Sequence, residues 1–347
     1  MQKITAKISL NSIKRNALAF KQATGKPVWA VVKADAYGHG GVEVTDALSG
    51  VADGFAVALL SEAVEISTAA CGKDILIFAP PLCEEEALTA AEHGFILSVT
   101  DYGAARLVDR VAKTHKIPVR VHLKTNTGMN RYGMTVQSLG KACKLLKANP
   151  FVCVEGMYSH LYGNTLSQAE TQRERFLRMQ AVCRRYFPCL RYHLSATFGA
   201  LLGERFVFDF TRIGLGLYGY LPSQDTPKKL TLERAMSVYA PVTATRKYAF
   251  GGAGYGKDLT AYSGELSVLR LGYADGVLRN PCNGMAGANA NANCLCMDAC
   301  VRKGKIKKGK LVPVLTDADE TARLCGTVSY EVLCAISRRA RRIYERE

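Results

Sequence analysis

Short apolar runs recur through the first two-thirds of the chain. They cover residues 28–32, 54–59, 74–79, 95–99, 118–123, 152–158, 190–194 and a last piece near 211–214. Each has the length and composition of a strand buried on both faces, as in a parallel sheet. Helical patterns fill most of the gaps. Asn11 can cap a helix to about Gln22, and 61–70 and 84–93 read as short helices. Asp101 is placed to cap a helix over 102–114, and 167–186 reads as a long, charged amphipathic helix. Strand and helix alternate about eight times over about 220 residues, which favours a closed parallel barrel over an open doubly wound sheet. After about Leu230 the texture changes. Residues 238–250, 266–271 and 311–315 read as strands joined by turns with Gly and Asn, and long helical patterns are absent. The expected fold is α/β: an N-terminal (β/α)8 barrel over 1–228 and a mostly-β domain over 229–347. The first few residues are free to pair with the β domain. The boundary lies in the Pro-containing stretch PSQDTP (222–227), and NGMAGANANAN (283–293) reads as a low-complexity loop.

Composition narrows the function classes. With 48 % apolar and 22 % charged residues, the 347-residue chain is neither disordered nor fibrous. No run of about 18 apolar residues predicts a membrane span. The start, MQKIT, leads into no apolar signal segment, so a cytoplasmic protein is expected. The net charge of +16 admits two readings, an anionic partner or solvated basic faces. The densest runs, RKGKIKKGK (302–310) and RRARR (338–342), belong to no nucleic-acid module and have few aromatics nearby, so no nucleic-acid partner is expected. The twelve cysteines are expected to be mostly small buried hydrophobes. Cys282, Cys294, Cys296 and Cys300 cluster, but no His follows His193 and the spacing is not that of a zinc site, so no metal is expected.

The candidate chemistry begins at VWAVVKADAYGHG (28–40), where an apolar strand ends in Lys33 before a turn containing Gly and Asp. A lysine at the C-terminal end of a barrel strand faces the mouth where barrel enzymes work. Desolvation there would make it a nucleophile able to form a Schiff base with an aldehyde such as pyridoxal 5′-phosphate. A surface lysine just past a strand end would show the same local pattern.

The longer segment AVVKADAYGHG resembles the cofactor-lysine signature of the alanine racemases. Further resemblances follow in order: KTNTGMNRYG (124–133), EGMYSH (155–160), TRIGLGLYG (211–219), GYGKDLTA (254–261), GYADG (272–276), CMD (296–298) and SYE (329–331). The resemblance implies a barrel followed by a β domain, and a homodimer whose active sites are each built from both chains. It implies an enzyme that interconverts L- and D-alanine, a small-molecule substrate, to supply peptidoglycan, without nucleic acid or membrane partners. By the same resemblance Lys33 carries pyridoxal 5′-phosphate and acts as one base. Tyr255, from the partner subunit, is the other. Two are needed because the proton leaves one face of Cα and returns on the opposite one. Tyr37, Thr197, Gly214, Leu215 and Tyr330 match phosphate contacts. Arg212 matches the arginine that bonds the pyridine nitrogen, and His160 the histidine linking Tyr255 to Arg212. Arg131 and Met297 match substrate-carboxylate contacts. Lys124 matches a lysine often carbamylated to orient that arginine, and Asp298 is a supporting neighbour of Met297.

Some positions depart from the pattern. Asn126 stands where aspartate is usual, Ala196 where an amide is usual, and Asn293-Cys294 where Gly and Arg precede CMD. Cys300-Val301-Arg302, Leu333 and the ending 337–341 also differ. Two alternatives remain within the resemblance. One is a serine or broad alanine/serine racemase; the other is a cofactor-binding barrel protein with weak activity. Tyr330 favours alanine over serine, and GYGKDLTA with CMD argues against the barrel protein.

Overall fold

The computed structural model describes residues 4–163, 165–222, 226–248, 264–278, 293–294, 296–336 and 339–346. The chain opens with β1 (Thr5–Ser9), which belongs to the second of two compact units. The first unit comprises Lys14–Ala36 and Gly41–Leu232; the second takes the chain up to Ile13, Tyr37–Gly40, and everything from Glu233 on.

In the first unit, eight parallel strands form a nearly closed barrel: β2 (Val28–Val31), β3 (Gly54–Val57), β4 (Ile75–Ile77), β5 (Ile96–Val99), β6 (Val119–Lys124), β7 (Val152–Tyr158), β8 (Arg191–His193) and β9 (Thr211–Ile213). They lie in the order β8-β7-β6-β5-β4-β3-β2-β9. The apolar runs of the sequence are these strands, and β2 to β5 are buried along their whole length. Between the segments of β8 and β9 two backbone bonds, Asp209 N–H to the Tyr192 carbonyl at 2.9 Å and Arg212 N–H to the Ser195 carbonyl at 3.0 Å, span the remaining gap. At the N-terminal end of the barrel, Arg120 and Arg191 each bridge Asp74 and Glu155, with separations of 2.6 to 3.3 Å. Lys33, Lys124 and His160 lie at the opposite, C-terminal ends of β2, β6 and β7.

Asp101 caps Tyr102–His115 as its position suggests, accepting from Ala104 N–H at 2.9 Å. Two helix starts differ from the sequence reading. The first helix is Leu10–Thr24, so Asn11 lies inside it, and Ser9 Oγ accepts the Ser12 N–H at 3.1 Å instead. The long helix is Leu166–Arg184, with Thr165 as its cap. Helices Gly41–Leu48 and Val136–Lys147 were not legible; the first begins on a glycine, and both lie beside motif segments rich in turn residues.

In the second unit β1 runs antiparallel to β10 (Met236–Tyr248) and parallel to β15 (Arg341–Glu345). The sheet extends through β11 (Gly264–Leu269), β13 (Cys300–Lys303) and β12 (Asn293–Cys294), and β14 (Leu311–Leu315) pairs with β10. Its core gathers Ala240, Val242, Leu269, Leu271, Cys300, Val312 and Val314. Two short helices, Ala318–Cys325 and Ser329–Ala335, accompany the strands; at eight and seven residues they are too short to show a periodic stripe.

Among the described residues the expectation of mostly buried cysteines is corrected. Cys143, Cys183 and Cys300 are buried, while Cys71, Cys83, Cys153, Cys189 and Cys334 are exposed. Cys71 stands in a turn with φ of 50° and Cys83 at a helix start, both on the surface. Among the described residues no helix is long and apolar enough to cross a membrane, and no group of three or more His, Cys, Asp or Glu is placed to hold a metal ion.

Candidate active site

Lys33 lies two residues past the last residue of β2 and is half-buried. The residues after it turn the other way from an ordinary helix: Ala34, Asp35, Ala36 and Tyr37 have φ of 52°, 54°, 51° and 55°. Left-handed backbone costs an L-residue with a Cβ about 1–2 kcal/mol, so four in succession need outside support. Glu62 supplies it. Its carboxylate accepts the N–H groups of Ala34 (2.6 Å), Ala58 (2.7 Å) and Leu59 (3.0 Å). Asp35 Oδ1 accepts the Gly41 N–H at 2.7 Å, closing the turn. Lys33 thus leaves the strand from a backbone fixed on both sides.

Further round the barrel, Lys124 ends β6 and is 8 % exposed, its Nζ donating to the Thr125 carbonyl at 3.0 Å. Burial, then the charges of Arg212 and Arg131, push its pKa down to about 7. Arg131 lies in the loop after β6, exposed. Asn126, one of the departures from the resemblance, organises that loop: its Oδ1 accepts the N–H groups of Gly128 (3.0 Å) and Asn130 (3.2 Å). At Gly133, where φ is +120°, a Cβ would come within 2.5 Å of the Thr125 backbone, so only glycine lets the loop return to β6.

His160 stands just past β7. Burial and then four cations, Arg212, Lys124, Arg131 and Lys33, hold its imidazole well below the ordinary histidine range. Arg212, in β9, is 2 % exposed. Its Nη2 donates to the carbonyls of Ser159 (2.7 Å) and Leu194 (3.1 Å), and its Nη1 to the His193 carbonyl (3.0 Å) and to His193 Nδ1 (2.5 Å). Burial lowers this guanidinium to about 10, which still leaves it charged at neutral pH.

Thr197 begins the short helix Thr197–Ala200 and is buried. Its Oγ1 accepts the Gly216 N–H at 3.2 Å, which leaves the hydroxyl proton to be donated. Gly214 and Leu215 form the start of the adjoining turn, and a Cβ on Gly216 would meet Phe20 at 2.5 Å. A hydroxyl and backbone N–H groups therefore lie side by side, a donor set suited to a phosphate.

In the second unit, Tyr37 and Tyr330 face one another with ring centroids 5.8 Å apart. Burial raises both phenols above their usual range, so both keep their protons as hydrogen-bond donors. Met297 and Asp298 are exposed, in a turn held against GYADG: Tyr273 N–H donates to the Cys296 carbonyl and Ala274 N–H to that of Met297, both at 3.1 Å. A Cβ on Gly272 would come within 2.2 Å of the Cys296 carbonyl, so the two motifs meet only because that residue is glycine. Tyr255 lies outside the described residues.

Within the barrel unit the structure therefore brings Lys124, Arg131, His160 and Arg212 into one electrostatic cluster with Lys33. Sequence reasoning missed Glu62, Tyr158, His122 and His193. Tyr158 has its ring 5.1 Å from both Lys124 Nζ and the Arg212 guanidinium. One signal was available: His122 is two residues before Lys124 and so shares its side of β6. As a donor set, an amine at a strand end, a phosphate-type turn and a buried cation beside it fit a phosphorylated aromatic aldehyde.

Residues 8–222 match the family described as "Alanine racemase, N-terminal domain" and 235–344 match "Alanine racemase, C-terminal domain". The chain is similar to the alanine racemase of Prochlorococcus marinus, with 30 % identity covering 99 % of this chain and 96 % of that protein. Among solved structures it resembles the biosynthetic alanine racemase from Pseudomonas aeruginosa, with a TM-score of 0.88, 28 % identity, and coverage of 99 % of this chain and 100 % of that one. It also resembles the alanine racemase of Clostridium difficile 630, with a TM-score of 0.88, 26 % identity, and coverage of 100 % and 97 %.

Proposed function

The chain belongs to the alanine racemase family and is an enzyme that interconverts L- and D-alanine; on that premise we propose that Lys33 holds pyridoxal 5′-phosphate and shares the acid–base work with Tyr255. The observation that carries this reading is the gathering of Arg212, Lys124, Arg131 and Lys33 around His160 at the C-terminal strand ends. Basic side chains gathered in one place, with Arg212 charged at neutral pH, suit an anionic cofactor and an anionic amino-acid carboxylate. When bound, the cofactor acts as the electron sink that makes the substrate Cα–H acidic.

Lys33 and Tyr255 take and return the Cα proton on opposite faces. Arg212 would hold the cofactor ring by donating to its nitrogen; a guanidinium gives up its proton too reluctantly to protonate a ring nitrogen, which would limit stray transamination. Thr197 and the backbone N–H groups of Gly214 and Leu215 would hold the phosphate, and the family resemblance makes Tyr37 and Tyr330 phosphate contacts as well. His160, uncharged at neutral pH, links Tyr255 to Arg212. Arg131 and the Met297 N–H hold the substrate carboxylate, with Asp298 beside Met297. Tyr255 and Met297 come from the second chain of a homodimer, and the D-alanine made serves peptidoglycan.

A chiral assay of the full-length protein with added pyridoxal 5′-phosphate tests the reading. L-Alanine and D-alanine should each run to the same equal mixture, with L-serine converted more slowly. Serine conversion as fast as alanine conversion would assign a broader racemase, and no conversion of either would overturn the proposal.

Lys124 makes a separate prediction. A lysine near pKa 7 is about half uncharged at neutral pH. Its free amine can add to CO2, forming an N–C bond and releasing a proton, and the resulting carbamate pairs with Arg131. Protein equilibrated with ¹³C-bicarbonate should show a carbamate carbon resonance that Lys124→Ala abolishes. The signal should fade as pH falls below 7, where the amine is protonated. A resonance surviving in Lys124→Ala would place the carbamate elsewhere.

A further inference from the structure

Arg212 is a buried cation, and none of its four hydrogen-bond acceptors is a carboxylate. Three are backbone carbonyls and the fourth is His193 Nδ1. A guanidinium cannot accept a hydrogen bond, so His193 Nδ1 is the lone-pair nitrogen and its proton sits on Nε2. That nitrogen lies 2.9 Å from His122 Nδ1. By the same count His122 accepts on Nδ1 and carries its proton on Nε2. This last N–H is buried and has no partner among the described residues. It abuts Gly156, where a Cβ would come within 2.7 Å of Nε2. Every bond in the chain thus runs one way, from Arg212 into the barrel interior.

We propose that His193 and His122 are positioning residues for Arg212, a neutral two-ring relay that orients the guanidinium while leaving its charge uncompensated for the group it serves. The inference rests on the role given to Arg212 under Proposed function. A carboxylate at the same place would also orient the guanidinium, but it would pair with its charge. An imidazole supplies the acceptor without the charge.

The surroundings keep the rings neutral. His193 is stacked between Phe210, at 4.2 Å, and Tyr158, at 4.8 Å, so it can neither turn over nor reach water. Burial holds both imidazoles well below the ordinary range, and the arginines around them, Arg212, Arg191 and for His122 also Arg120, act in the same direction.

Nuclear magnetic resonance of the ¹⁵N-histidine-labelled protein, without cofactor, tests the relay itself. Both rings should be neutral Nε2–H tautomers that do not titrate between pH 8 and about 5, below the ordinary histidine value of about 6.5. An Nδ1–H tautomer at His193, or a titrating ring at either position, overturns the inference whatever the enzyme does when loaded.

Three variants of the holoenzyme test the consequence. His193→Leu deletes the acceptor and should lower kcat about ten- to hundredfold, the usual cost of losing a hydrogen bond to a charged group, with KM for alanine little changed. His193→Asn restores a neutral acceptor and should recover most of the loss. His193→Asp restores an acceptor but adds a counter-charge, and should stay impaired. Equal losses in the Leu and Asn variants, or an Asp variant as active as Asn, would overturn the proposal. If the parent protein neither binds the cofactor nor racemises alanine, the role of Arg212 falls, and the tautomer measurement decides the relay alone.

Discussion

Lys33→Ala is expected to abolish the visible absorbance of bound cofactor and nearly all racemisation. In the proposed mechanism the Lys33 amine both bonds to the cofactor and carries one of the two protons, so both functions would be lost together. The fold should survive: the left-handed turn after Lys33 is held by Glu62 and Asp35 through backbone N–H groups, none of which needs the lysine side chain. Unfolding in urea should therefore match the parent protein. A borohydride-reducible cofactor adduct that persists in Lys33→Ala would move the attachment to another lysine.

Tyr255→Phe is expected to separate the two directions of proton transfer. It keeps the ring and deletes only the hydroxyl, so cofactor binding should persist. Racemisation should fall by about 10² to 10⁴ in both directions, the range for removing a general acid–base group, because each direction uses both bases. Exchange of the Cα proton with D2O should continue for one enantiomer only, the one whose hydrogen faces Lys33; by family resemblance this is D-alanine. Equal exchange into both enantiomers would mean a single base or a base other than Tyr255. The same variant tests the shared site. Co-expressed with Lys33→Ala, it forms mixed dimers in which one of two sites has both residues intact, so about a quarter of the parent activity should return. If Lys33 and Tyr255 of one chain served the same site, mixing would restore nothing.

Much of this was legible in the linear chain because it depends on local spacing. Eight apolar runs of strand length, separated by helical stretches, specify a parallel barrel, since each run is buried on both faces whatever its partner. Asp101 marks a helix start because a cap acts within three residues. The ordered motifs from Lys33 to Tyr330 identify the family because each is a contiguous string.

Tertiary structure decided what depends on residues far apart. Glu62 is 28 residues from the Ala34 N–H it holds, and nothing in KADAY announces a left-handed turn, since Ala, Asp and Tyr all prefer right-handed backbone when unsupported. Asn126 looked like a lost aspartate until its oxygen was seen capping the Arg131 loop. His122 and His193, 71 residues apart, are each ordinary strand residues in the sequence. Periodicity says that a strand side chain points inward, but only closure of the barrel says which side chain it meets there. That is why the lysine and its motif could be read from the chain, while the network holding Arg212 had to wait for the fold.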